Sequence, residues 1–195
     1  MRMRTLALVA AAALMAGTAF AQQPSPRENP SVAVGGKQVS IEYGRPTLNG
    51  RPLAELLESL PADRIWRAGS EQVTTLKTEG DVVIGDAKLP AGKYSLYIHC
   101  GEDGSYSLLV NSVLGQPLGK VWAAAPDNLK EEPWPHFSYA TEIGDEEVAR
   151  VALKKATLES PQDRFTIALA PKGDGAALTI SWGDESWSTS IAPAF

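Results

Sequence analysis

The sequence predicts a mainly β protein, an antiparallel β-sandwich or jelly-roll-like barrel with one short helix. Three observations predict it. Apolar and polar residues alternate through most of the chain beyond residue 37, the pattern of a sheet with one buried and one wet face. Clusters of turn-forming residues punctuate the alternating runs. A single stretch has helical spacing.

The first 21 of the 195 residues read as a leader. Arg2 and Arg4 precede an apolar run from Leu6 to Ala16, and Ala19-Phe20-Ala21 places small residues where a signal peptidase reads. Cleavage is expected after Ala21. The apolar run is shorter than the ~20 residues that cross a bilayer, so no membrane span is expected after processing, and the expected location is periplasmic or secreted. Residues 22–36 follow as an N-terminal arm. Its first part carries Pro24, Pro26 and Pro30 and reads as a tether or an extended arm. Residues 37–195 form the expected single β domain.

The strands come next. Val39, Ile41 and Tyr43 alternate with Gln38, Ser40 and Glu42. Tyr94, Leu96 and Ile98 repeat the pattern, as do Tyr106, Leu108 and Val110, then Phe165, Ile167 and Leu169, then Leu178, Ile180 and Trp182, then Trp187, Thr189 and Ile191. Gly101-Glu102-Asp103-Gly104 joins one expected hairpin, and Gly173-Asp174-Gly175 another. Leu53, Leu56, Leu57 and Leu60 have i, i+3, i+4, i+7 spacing and predict a helix over 52–60, opened by Pro52 and stopped by Pro61. The connection over 111–145 holds Pro117, Pro126, Pro133 and Pro135 with Trp122, Trp134, Phe137 and Tyr139. Two readings stay open for it: a functional loop, or aromatics that fill the mouth of the sandwich.

Charge and chemistry exclude several classes. Arg2 and Arg4 fall in the leader, so 16 of the 18 basic side chains face 23 acidic ones in the processed chain, a net charge of −7. That sign disfavours nucleic acid and anionic lipid. Cys100 is the only cysteine, so no internal disulfide can form, and a buried structural thiol is expected. No nucleophile elbow, zinc-protease helix, phosphate loop or paired Cys-x-x-Cys occurs. His99 and Cys100, adjacent on a strand, point to opposite faces. No cofactor and no metal site are expected. Gly101-Glu102-Asp103-Gly104 reads as a solvated turn, and Asp145-Glu146-Glu147 as a solvated strand entrance.

The residues that look too costly to be filler are Tyr43, Arg45, Arg51, Trp66, Arg67, Glu71 and Asn111, with Glu42 beside them. Three arginines and a tryptophan flank the short helix, so the chain folds back between them. An arginine fork suits carboxylate, phosphate or sulfate, and its plane stacks on Trp or Tyr. The cluster is either a pocket for an anionic or sugar-like ligand or an internal lattice in which Arg45 and Arg67 pair with Glu42, Glu71 or loop carbonyls.

The chain also resembles a known family. Ser25-Pro26-Arg27 precedes Ile41-Glu42-Tyr43-Gly44-Arg45-Pro46 and Gly50-Arg51. Ile65-Trp66-Arg67-Ala68-Gly69, Thr74 and Leu89-Pro90-Ala91-Gly92-Lys93-Tyr94-Ser95-Leu96 follow. In this order and spacing the motifs resemble DUF2911, exported bacterial proteins of unknown function. The resemblance implies an exported β domain and no particular activity. Gly44 stands where that family's pattern has serine, and Gly69-Ser70-Glu71-Gln72-Val73-Thr74 departs from its glycine–alanine–asparagine–glutamate–alanine–threonine. The expected function is a non-catalytic binding or accessory module for an anionic or sugar-like ligand. The alternatives are a hydrolase of carbohydrate or cell-wall material and an envelope module that binds another protein.

Overall fold

The computed structural model describes residues 25–194; the expected leader lies outside the described residues. Thirteen strands occur: β1 Arg27–Glu28, β2 Ser31–Val34, β3 Lys37–Gly44, β4 Ile65–Trp66, β5 Thr75–Thr78, β6 Val82–Ile84, β7 Ala87–Leu89, β8 Gly92–Cys100, β9 Tyr106–Asn111, β10 Gln116–Pro117, β11 Pro133–Trp134, β12 Glu147–Lys172 and β13 Gly175–Pro193. Three short helices accompany them among the described residues, where the sequence predicted one: α1 Leu53–Glu58, α2 Leu118–Val121 and α3 Tyr139–Glu142. The two unforeseen helices are single turns of four residues, too short to carry a periodic apolar stripe.

Eleven strands form one continuous antiparallel sheet in the order β1-β3-β5-β8-β9-β12-β13-β6-β7, with β2 also on β3 and β4 also on β8; β10 and β11 pair separately. The mainly β, antiparallel class is therefore the observed one. The path does not close into a barrel among the described residues. It does fold back on itself, because β2 packs against β12 and β13, strands far away in the hydrogen-bonded order. Gly35 N–H, in the β2–β3 turn, donates to the carbonyl of Asp174 in the β12–β13 turn at 2.8 Å. The expected arm is woven into this body: Arg27 and Glu28 pair with Gly44 and Tyr43, and Ser31–Val34 pairs with the start of β3.

Both predicted hairpins are present. β8 pairs with β9 across the 101–104 turn. The second hairpin is longer than the alternation suggested, because β12 runs on through Pro161 from 147 to 172 and the runs on either side of 183 join into a single β13. Its ladder is interrupted between Thr157 and Gln162 and again before Thr166. Pro161, which has no N–H to donate, falls in the first interruption. Opposite Gln162 stands Gly183 with φ +59°, the backbone of a bulge that bends the hairpin. A Cβ on Gly183 would come within 3.1 Å of Leu53 Cβ, so the glycine also lets α1 sit on the bend. Within α1 only Leu53 is fully buried, and the helix ends early because Ser59 O–H caps the carbonyl of Leu56 at 2.8 Å.

The main core joins Val39, Ile41, Leu76, Leu96, Ile98, Leu108, Val110, Val151, Phe165, Ile167, Leu178, Ile180 and Trp187. Each fully buried aliphatic or Phe side chain contributes roughly 1.5–3 kcal/mol. The centre of the sheet is not wet on its other face. Tyr97 and Leu109 point away from the main core and are buried beneath Tyr139 and Ile143 of the 111–145 connection, with Ile65 and Val73. That aromatic, proline-rich connection is thus a cover over β8 and β9. Glu147, expected as solvated, is half-buried and accepts from Tyr139 O–H at 3.0 Å while binding Arg150.

Candidate functional site

Two loops leave the sheet at one end and frame a cavity. The first follows β3 and leads to α1. It is anchored where Phe165 N–H donates to Pro46 O and Leu48 N–H donates to Asp163 O, both at 2.9 Å. The second runs from α1 through β4 to β5. Arg64 ties it down, donating to the carbonyls of Cys100 and Leu57 at 3.0 Å. Among the described residues, the non-glycine residues with positive φ are Asn49, Arg64, Ala68 and Glu71, all in these two loops. Such conformations cost about 1–3 kcal/mol for a residue with a Cβ, less for asparagine, and concentrate where a loop must hold a shape for function.

The space between the loops has two connected compartments. The inner one, the one beside α1, is a cavity of about 210 Å³ lined by Leu56 and Leu57 of α1 and Leu60 just beyond it, with Trp66 and Trp182. The outer one is a cleft of about 960 Å³ bounded by Ser25, Thr47, Asn49, Glu71, Trp122 and Trp134. Pro46, Arg51, Arg67 and Ser70 line both and form the junction. Trp66 stacks on Trp182 with ring centroids 5.0 Å apart and planes 15° from parallel, and its edge meets Phe165 at 4.8 Å. The floor is therefore rigid and apolar.

Arg67 is half-buried, and its guanidinium makes no hydrogen bond or ion pair among the described residues. It lies over the ring of Phe137, 5.3 Å from the centroid. Burial pushes its pKa down, and the charge of Glu71 opposes that shift. Ser70 is 9% exposed and its Oγ has no hydrogen-bond partner among the described residues. A buried hydroxyl left unpaired costs about 1–3 kcal/mol. Ser70→Ala should therefore leave the unfolding free energy unchanged or raise it by up to about 1 kcal/mol, checked by urea denaturation. Gly44 makes room for this hydroxyl, since a Cβ there would lie 2.7 Å from Ser70 Oγ and closer still to its carbonyl oxygen.

The structure divides the sequence-predicted residues into two groups. Arg51, Trp66, Arg67 and Glu71 meet at the cavity. Arg51 donates Nε–H to Leu48 O at 3.0 Å, and Glu71 Oε1 accepts from Ser25 N–H at 2.6 Å. The others are structural. Tyr43 is fully buried, and its hydroxyl accepts from Ile167 N–H at 2.8 Å. Arg45 binds Glu28 and donates to Phe165 O at 3.2 Å and Thr166 Oγ1 at 2.8 Å. Glu42 pairs with Arg27. Asn111 is fully buried on the face under the cover, donating to Tyr139 Oη and Ile143 O and accepting from Val113 N–H. Cys100 is buried, and burial pushes its thiol up to about 12, which keeps it inert.

Sequence reasoning missed Ser70, Asn49 and Trp182 at the cavity. Trp182 reads as core from its alternation, and it is both core and floor. Ser70 carries no signal of its own. Trp122 and Trp134 were noted only as aromatics of the long connection, which brings them to the outer cleft.

No curated protein and no solved structure matches the chain. The family DUF2911, described as a protein of unknown function, matches residues 25–191. That span takes in β1, both cavity-framing loops, the cover and nearly all of β13, and the chain belongs to the DUF2911 family.

Proposed function

We propose that this chain is an exported, periplasmic or secreted, non-catalytic binding module whose anionic or sugar-like ligand sits between the two loops. One observation carries the reading: Arg67, half-buried at the junction of both compartments, has no carboxylate or carbonyl partner among the described residues. A desolvated cation without a partner is costly, and a bound anion offsets that cost. Arg51 adds a second positive charge at the same junction. The left-handed residues in both loops support the reading, since they fix the mouth before a ligand arrives. Export rests on the leader-like pattern of residues 1–21. A glycoside hydrolase would need two carboxylates across the scissile bond; Glu71 is the one carboxylate lining these compartments among the described residues.

The two arginines separate pocket from lattice. Arg67→Ala should fold with its unfolding free energy unchanged to within about 0.5 kcal/mol. It should lose the stabilisation that a bound anion gives, which for the wild type is roughly 2.7 kcal/mol at a hundredfold excess over Kd. Arg45→Ala should instead lose about 2–3 kcal/mol of stability, since it strips hydrogen bonds from two oxygens of β12 and an ion pair discounted for the exposure of Glu28. A thermal-shift screen against anions and sugars, run on both variants, checks this. The reading fails if Arg67→Ala unfolds, or if no anion or sugar stabilises the wild type in an Arg67-dependent way.

A further inference from the structure

We infer that the ligand is a monoanionic carboxylate carrying an apolar tail, with the tail in the inner compartment and the head at the junction with Arg67. This rests on the binding reading above and narrows it to one chemical class. The lining is sorted along one axis. The compartment beside α1 is walled mainly by leucine and tryptophan, the larger one carries most of the polar residues, and the unpartnered Arg67 lines both. A bare inorganic anion would satisfy Arg67 but leave the apolar chamber without an occupant. A neutral sugar would leave the cation unneutralised. A molecule with a charged end and a greasy end answers both.

The head is specified by what surrounds it. A planar carboxylate accepts two parallel N–H bonds from a guanidinium fork, and Arg67 supplies that fork. Glu71 lies near enough for its charge to act on Arg67, so a dianion is disfavoured and a single negative charge is preferred. The tail is limited by volume. At roughly 30 Å³ for each water-sized group, the inner cavity of about 210 Å³ holds about seven methylenes.

The test is calorimetric titration of the purified protein with straight-chain carboxylates from butanoate to decanoate at pH 7, with 1-octanol as the headless control. Each added methylene should tighten binding about fourfold, the equivalent of about 0.8 kcal/mol per buried CH2, until about the eighth carbon. Beyond it the gain should stop. Octanol should bind at least about tenfold more weakly than octanoate. Arg67→Gln should weaken every acid by a common factor and leave the fourfold step unchanged, whereas a merely structural role would flatten the step. If octanoate binds no tighter than butanoate while another anion or a sugar still stabilises in an Arg67-dependent way, this inference falls and the binding reading stands. If octanol equals octanoate, the head assignment falls. If nothing binds through Arg67, both readings fall together.

Discussion

Phe165→Ala should lower the unfolding free energy by about 3–5 kcal/mol, the usual cost of removing a fully buried aromatic ring. The ring is 0% exposed and meets Tyr43, Trp66 and Trp182 edge to face, at centroid distances of 5.7, 4.8 and 5.7 Å. Each such pair adds about 0.5–1.5 kcal/mol beyond the buried area. The same residue holds the first loop through its backbone, donating to Pro46 O and accepting from Arg45. Loss of the ring should therefore drop the melting temperature by roughly 10 °C. It should also release the Trp66–Trp182 stack, so intrinsic tryptophan fluorescence in the native state should change. A variant with wild-type stability would show that the floor of the cavity is not the keystone of this end of the sheet.

Alkaline pH should unfold the protein within a defined window. Burial pushes the Cys100 thiol from its ordinary 9.0 up to about 12. It pushes Tyr97 from 10.0 up to about 12, with the Glu142 charge adding to the rise and the hydrogen bond from His136 N–H opposing it. Tyr106 and Tyr139 are also raised, chiefly by burial. In each case the fold favours the neutral, protonated form. The stabilisation is complete below the unfolded-state value and is lost as pH climbs through the folded-state value. For Cys100 and Tyr97 that window runs from about 9 to about 12. At about 1.4 kcal/mol for each tenfold change in proton affinity, Cys100 accounts for about 4 kcal/mol and Tyr97 for about 3 kcal/mol. Together, at about 7 kcal/mol, they fall within the 5–15 kcal/mol that holds a typical domain. Far-ultraviolet circular dichroism should remain constant to pH 9 and collapse by pH 12, with tyrosinate absorbance rising in the same step. Cys100→Ala should blunt the early part of the decline. Melting temperatures that stay flat from pH 8.5 to 12 would contradict it.

Tyr97 also shows how much the sequence disclosed. The alternation around Leu96, Ile98, Leu108 and Val110 named the inward face correctly, because a two-residue period needs only neighbours to be read. Tyr97 and Leu109 fall at the outward positions, which the alternation assigns to the wet face. What covers it could not be read, since Tyr139 reaches Tyr97 from 42 positions downstream through a segment with no period of its own. Asn111 looked like a ligand-binding residue for the same reason: its partners, Tyr139 and Ile143, lie 28 and 32 positions away.

At the cavity, clustering around one helix was enough to bring Arg51, Trp66, Arg67 and Glu71 together. It could not say which arginine was already occupied. Arg45 found Glu28, 17 positions back in a segment that read as a tether, rather than Glu42 or Glu71. Arg67 found none among the described residues. Partner choice is a long-range property, and local pattern carries no trace of it. The bend at Gly183, which seats α1 over the inner compartment, was equally silent, because a lone glycine in a strand marks a bulge only once its opposite neighbour is known.

The way the sheet ends has its own consequence. One margin is β7, three residues long with Lys88 at its centre; the other is made by β1 and β2, of two and four residues. A foreign segment seeking to extend the array would find only a few free amide and carbonyl groups in a row, next to a charge it would have to desolvate. At these two ends of the strand order, crowded copies of this molecule thus find little template for fibrous stacking, even though the described chain carries no disulfide to hold it shut.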